Sequence, residues 1–326
     1  MMRMLSAVGR AGPWILCAAA LAGLALPTLA RAASPFMGWA VAAFAFGVFV
    51  RADLGELRRA SRCPLATAGA LLGCVALVPL AGVGAARALG LPADMALGVA
   101  LVCLAPPSAA AIAAMLGLDA TLAAAAMAGA ALAAPWTMPW LAHSVGVAVS
   151  VDSSALAANL AWLVGPPALL AAAFKLAAPA RAARARDSAT GVATLGLAAM
   201  AVGAMDGVSA MAQADPMTAL GYMAGAYGLN VALQALGAAL SPGLSRADAL
   251  TMGLCYGNRN VGLVWAACGS LVVSRPLVEL FLSMSLLAVF TIPVAQKLWG
   301  RRRGKPAPVS EPLPERAPEP GRAARA

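Results

Sequence analysis

The sequence predicts an all-α polytopic membrane protein of ten transmembrane helices, arranged as two inverted five-helix repeats in which helices four and nine are broken. Three observations carry this reading. Of the 326 residues 62% are hydrophobic and 11% charged, at a mean hydropathy of +0.82, whereas soluble domains devote about a quarter of their residues to charge. Basic residues fall in short runs at the ends of apolar segments, the distribution that the positive-inside rule describes. Two apolar segments, one in each half, carry helix-breaking residues in corresponding places, which is how inverted-repeat transporters build their binding sites.

The N-terminal stretch has Arg3 and Arg10 ahead of an apolar run that ends Pro27-Thr28-Leu29-Ala30. It resembles a signal peptide with a small-residue cleavage site. Because further apolar segments follow, it reads as an uncleaved first helix near 13–30. Segments near 36–51, 64–86, 93–116 and 119–142 complete a first repeat over about 11–145, and those near 154–177, 189–205, 216–240, 248–271 and 276–299 form a second over about 152–300. Each is long enough, or nearly so, to span a hydrocarbon core of about 30 Å. Since five is odd, the second repeat enters the bilayer from the opposite side.

The loop with Arg51, Arg58, Arg59 and Arg62, the loop with Arg181, Arg184 and Arg186, and the tail beginning Arg301-Arg302-Arg303 all fall on one side of this scheme. That side reads as cytoplasmic, with both termini on it. His143, Asp152, Asp206 and Asp215 fall opposite. A bacterial inner (plasma) membrane is the expected location. Residues 1–304 form the transporter domain; residues 305–326, rich in proline and charge, read as a disordered cytoplasmic tail. Trp136, Trp140 and Trp299 sit at segment ends and suit interfacial anchoring.

A net charge of +10 and a pI near 10.1 would ordinarily raise nucleic acid as a partner. The placement of the charge at segment ends points instead to the lipid bilayer, and no nucleic-acid partner is expected. The six cysteines lie in or beside apolar segments without metal-ligand spacing, so no metal site and no cofactor is expected. No set of nucleophile, base and orienting group stands out, so the chain is not read as an enzyme. Oligomeric state has no signature.

The most costly stretch is Leu254-Cys255-Tyr256-Gly257-Asn258-Arg259-Asn260-Val261-Gly262-Leu263, an island of amide and guanidinium groups inside an apolar run from Ala249 to Val273. Arg259 falls near the middle of that run, and an arginine at a bilayer midplane costs on the order of 3 kcal/mol on insertion scales. The default reading is a functional site facing a cavity. Its counterpart is Ala105-Pro106-Pro107-Ser108 in segment four, where consecutive prolines remove two backbone donors and leave carbonyls free for a ligand. Candidate substrate-binding residues are therefore Arg259, Asn258, Asn260, Ser108, Pro106, Pro107, Gly257 and Tyr256. Asn230 and Gln234, one turn apart in segment eight, are secondary candidates that also suit interhelical hydrogen bonding.

At this point the chain resembles the bile acid/sodium symporter family over about residues 36–298. Phe46-Gly47-Val48 with Asp53 and Arg62-Cys63-Pro64 resembles that family's second span and the basic loop after it. Val78-Pro79-Leu80 is similar to its third-span proline. Ala105-Pro106-Pro107-Ser108, Gly117-Leu118-Asp119 and Ala134-Pro135-Trp136-Thr137-Met138-Pro139 resemble its Pro-Gly-Gly break, Gly-Asp turn and paired prolines. Gly257-Asn258-Arg259-Asn260-Val261-Gly262-Leu263 is similar to its span-nine Glu-x-Gly-Met-Gln-Asn-x-Gly-Leu.

The resemblance implies a core domain with two broken helices crossing at midplane, which moves against a panel domain to give alternating access. It also implies organic anions as substrates and sodium as coupling ion. The departures bear on the sodium: the family's span-nine glutamate falls on Cys255, its glutamine on Arg259 and its span-three glutamine on Cys74. Sodium, a hard cation, wants several oxygen ligands, and those side chains are gone. The expectation is a secondary transporter of a small organic anion that does not use the usual sodium sites, with Arg259 as a built-in positive charge holding the anion through its planar fork. Proton coupling or uniport would then replace sodium coupling. Cys103 and Cys255 raise a second reading, since related arsenite permeases use a cysteine beside a broken helix. A transport-inactive receptor or scaffold acting through the tail is a third.

Overall fold

A computed structural model describes residues 2–51, 68–69, 72–144, 152–241, 244–268 and 274–302. Asp53, Arg58, Arg59, Arg62, Cys63, Pro64 and the tail at 305–326 lie outside the described residues. Among those described the chain is 88% helical and forms no strand.

The first helices are α1 (Met2–Arg10), α2 (Gly12–Ala25), α3 (Pro27–Ala33) and, after a short 3-10 turn, α4 (Met37–Arg51). A 79° bend separates α1 from α2. The first apolar segment does not run to residue 30 as expected. Pro27 disfavours helical backbone at Leu26, which sits at φ −123°, ψ 79°, and then serves as the first residue of the next helix. Residues 27–51 thus form one apolar helical length.

Next come a π-helical turn (Gly73–Leu77) leading into α5 (Val78–Ala88), then α6 (Ala93–Leu104), α7 (Ala110–Leu116) and α8 (Ala120–Ser144). The second half has α9 (Ser153–Ala177), α10 (Pro179–Gly203), α11 (Val208–Ala214), α12 (Pro216–Ala239), α13 (Arg246–Gly257), α14 (Val261–Ala267) and α15 (Pro276–Arg302). Arg181, Arg184 and Arg186, expected in a loop, belong to the first turns of α10. Pro179 starts that helix, and the alanines between the arginines propagate it.

Among the described residues five helical lengths are long and apolar enough to cross a membrane: Pro27–Arg51, Leu122–His143, Ser154–Ala177, Pro179–Ala214 and Pro276–Trp299. The bent pair α1–α2 would make a sixth. The expected fourth and ninth spans are each two short helices, α6 with α7 and α13 with α14. α12 has the length of a span, but Tyr222, Tyr227, Asn230 and Gln234 dilute its apolar character.

The helices pack in two groups. α4 lies between α9 and α10, α2 and α1 lie along α10, and together they form one layer. The other group gathers α5, α6, α8, α12, α13, α14 and α15 around the two helix breaks. Small residues let α4 and α10 approach closely: a Cβ on Gly47 would stand 2.4 Å from Ala189 O, and one on Gly196 would stand 2.5 Å from Ala40 O. Such contact takes the place of hydrophobic driving force where lipid surrounds the helices.

Candidate functional site

Both breaks are where the sequence puts them, and they cross. The chain leaves α6 at Leu104, runs extended through Ala105 and resumes as α7 at Ala110; it leaves α13 at Gly257 and resumes as α14 at Val261. Between them Pro107 and Arg259 form an antiparallel bridge. Asn260 N donates to Pro106 O at 2.7 Å, and Ser108 N donates to Asn258 O at 2.8 Å. These are the donors that Pro106 and Pro107 do not remove, so the proline pair and the bridge are compatible.

Among the described residues Arg259 is the largest fully buried side chain, 1% exposed. Its Nη2 donates to Cys74 O at 2.7 Å and Cys103 O at 3.0 Å, and its Nη1 donates to Cys255 O at 3.3 Å. Each of these carbonyls lacks its ordinary helical donor for a reason visible in the sequence. Cys103 O would accept from the residue four on, which is Pro107 and has no N–H. Cys255 O would accept from Arg259 N, but α13 has ended two residues earlier. Cys74 O lies in the π-helical turn, where Val78 N bonds to Gly73 O; the next donor in that pattern would be Pro79. Three carbonyls orphaned by prolines and a helix end therefore converge on one guanidinium. Two of them sit at the C-termini of α6 and α13, each carrying about half a negative charge from the helix dipole.

The sequence reading has the Arg259 fork holding an anion; in the structure its terminal nitrogens hold backbone carbonyls instead. Nε of Arg259 and Nδ2 of Asn258 are buried without a partner. Asn260 Oδ1 accepts from Leu263 N at 3.2 Å and so caps α14. Asn230 Nδ2 donates to Gly257 O at 2.9 Å and to Asn258 Oδ1 at 3.3 Å; Gln234 Nε2 donates to Asn230 Oδ1 at 2.7 Å and Gln296 Nε2 donates to Gln234 Oε1 at 3.0 Å. The two secondary candidates thus form an amide chain that fastens α12 and α15 to the crossing. Gly257 allows this approach, since a Cβ there would stand 2.4 Å from Gln234 Cγ. Tyr256 is buried between α12 and the π-helical turn.

The outer ends of the half-helices are capped from elsewhere. Lys297 donates to Met115 O at the end of α7, and Asn159 Nδ2 donates to Ala267 O at the end of α14, 2.9 Å away. Cys103 and Cys255 are buried and contribute carbonyls to Arg259; among the described residues no group of three or more His, Cys, Asp or Glu side chains is placed to hold a metal.

Cavities reach the crossing from one end only of those described. Pro107 and Asn260 line the innermost, with Phe44, Val48, Met127 and Leu263. Ser108 lines the next, with Arg51, Thr190 and Thr194. Arg51 and the two threonines carry no motif; Arg51 ends α4, and Thr190 and Thr194 lie inside α10. Arg259, Asn258, Gly257, Tyr256 and Pro106 line none of the described cavities.

No family model matches the chain, and the search of curated proteins found no match. The case for a function therefore stands on the crossing itself.

Proposed function

We propose that the chain is a secondary transporter that carries a small organic anion across a bilayer by alternating access, with Arg259 serving as a tethered cation where relatives of this architecture would bind a coupling ion. The supporting observation is the guanidinium on three orphaned carbonyls between two converging helix C-termini. Unwound carbonyls and half-helix C-termini are the groups that hold coupling cations in such transporters. Here two half-charges meet one full positive charge from the chain itself. A sodium ion brought to within 4 Å of Arg259 would meet repulsion of about 4 kcal/mol at an effective dielectric of 20. The unit built from α6, α7, α13 and α14 would then complete its cycle without waiting for sodium, and Arg259 would favour the anion through its field.

In this reading the group around the crossing is the moving core and the α2–α4–α9–α10 layer is the panel, with ten spans and both termini cytoplasmic. The protein would be reconstituted in liposomes and flux of a labelled anion panel measured with sodium and proton gradients varied separately. Uptake should persist in sodium-free buffer and fall at least tenfold in Arg259→Ala. Strong sodium stimulation together with full activity of Arg259→Ala would sink the proposal.

A further inference from the structure

The described cavities between the α2–α4–α10 layer and the α7–α8–α15 wall form a series. The outermost is lined by Arg10, Arg51, Asp187, Ser6 and Thr190, together with Ala111 and Met115. It shares Arg51, Ala111 and Thr190 with the middle cavity, which shares Phe44, Val48 and Met127 with the innermost at Pro107 and Asn260. Along every wall the order is the same: Arg51, Val48, Phe44, Val41 on α4; Asp187, Thr190, Thr194, Leu197 on α10; Met115, Ala111, Ser108, Pro107 on α7 and the break. The three cavities follow one another through shared walls, from a charged mouth to the helix crossing, and together define a candidate passage.

Its chemistry is polarised. The mouth has two guanidinium groups and one carboxylate, hence one net positive charge. Arg51 Nη1 donates to Thr190 Oγ1 at 3.4 Å, and that hydroxyl donates to Arg186 O at 3.2 Å. The guanidinium is only half-buried there. Further in, the walls are Leu16, Phe44, Val48, Ile112, Met127 and Phe290. Thr194 spends its hydroxyl on Thr190 O of its own helix, 2.9 Å away. The cavity volumes are about 350 Å³ at the mouth, about 60 Å³ in the middle and about 20 Å³ at the crossing. The last figure is roughly room for one water.

We propose that this passage binds a slender amphiphilic monoanion head-outward, with its anionic group on Arg51 and Thr190 at the mouth and its unbranched apolar body along Val48, Met127 and Phe290 toward Pro107. This rests on the transport reading only for what the binding is for; the site itself is defined by its walls. Asp187 selects against a second negative charge on the head, and the small volume of the middle cavity selects against fused rings. The polarity is opposite to that expected from an anion seated on Arg259, whose terminal nitrogens are already on carbonyls.

The test is calorimetric titration of the full chain in nanodiscs with octanesulfonate, with empty nanodiscs as reference. Octanol and methanesulfonate supply the apolar body and the anionic head alone. Octanesulfonate should bind; Arg51→Ala should weaken it at least tenfold, Arg51→Lys less, and Val48→Trp should abolish it. Both part-molecules should bind far more weakly. Thr194→Cys should be protected from a methanethiosulfonate reagent by octanesulfonate and not by methanesulfonate. If Arg51→Ala fails to fold, the Arg51→Lys titration and the Thr194→Cys protection decide. Unchanged affinity in Arg51→Ala, or unprotected Thr194→Cys at saturating octanesulfonate, would overturn the site whatever the flux assay gives. Binding that follows these variants in a chain that does not transport would uphold the site and remove the transport reading.

Discussion

Arg259 is the residue on which the molecule turns, and sequence and structure agree on its place but not on what its donors touch. Its cost in lipid marked it from the sequence. What the sequence left hidden was the set of three carbonyls, because Cys74, Cys103 and Cys255 are 29, 152 and 181 residues apart by pairs and only the fold brings them together. In hindsight Pro79 and Pro107 were the readable half: each marks a carbonyl that must find a donor elsewhere. Arg259→Ala leaves the buried Cys74 and Cys103 carbonyls unpaired, at about 1–3 kcal/mol each in a protein interior or nearer 0.6 each where lipid is the reference, while Cys255 O keeps the Cys74 thiol as donor at 3.5 Å. A loss of about 2–5 kcal/mol in thermal unfolding is expected. The vacated space matches a guanidinium ion. Millimolar guanidinium or methylguanidinium should restore part of the flux of Arg259→Ala, while sodium at the same concentration should not. Arg259→Lys should be intermediate, since an ammonium offers a compact charge without the fork.

At the scale of elements, a proline pair is an ambiguous signal. Pro106-Pro107 breaks its segment, whereas Pro166-Pro167 lies inside α9, which runs unbroken from Ser153 to Ala177. The difference is the partner: residues 258–260 accept and donate across the 106–108 backbone, and Arg259 takes the carbonyl that Pro107 frees. This is why only the comparison of two segments, never one alone, made the break legible. Pro107→Ala would return an N–H to Cys103 O and compete with Arg259. Its thermal stability should hold or rise while flux falls several-fold; unchanged flux would detach the break from transport. Helix starts outside the spans respond to pH instead. The Asp152 carboxylate is held below its usual range by hydrogen bonds from Ser154 and Ala155 and the Asp215 carboxylate by hydrogen bonds from Thr218, as each caps a helix N-terminus. With folded pKa values depressed, their stabilisation is complete above the ordinary carboxylate pKa near 3.9 and lost as pH falls through the folded values. The unfolding temperature of the native chain should therefore drop faster below about pH 4 than that of Asp152→Asn/Asp215→Asn, whose neutral amides still cap.

For the whole molecule, helix positions were largely legible and helix continuity was not. Nearly every expected segment coincides with a helix where it is described, but the first is cut at Leu26, the basic loop at 181–186 is helical, and among the described residues five or six lengths pass as spans on length and composition. For the fourth, eighth and ninth segments, breaks and polar side chains replace continuous apolar helix; the third lies partly outside the described residues. The mouth cavity gathers Arg10, Arg51 and Asp187 with Met115, which Lys297 also reaches. Other ends pair separately, Arg31 with Asp206 at 4.0 Å and Asp94 with Arg275 at 3.3 Å. Of these residues the charge asymmetry in the sequence assigns Arg51 to one face and Asp206 to the other. If ten segments cross, a reporter fused after Arg51, Lys175 or Lys305 should be active only as a cytoplasmic enzyme, and one fused after Leu89, His143 or Asp206 only as an exported one. A fusion after Lys305 that reports export would make the number of crossings odd, break the inverted relation between the halves, and leave the crossing of α6–α7 with α13–α14 as a local device without the symmetry that alternating access uses.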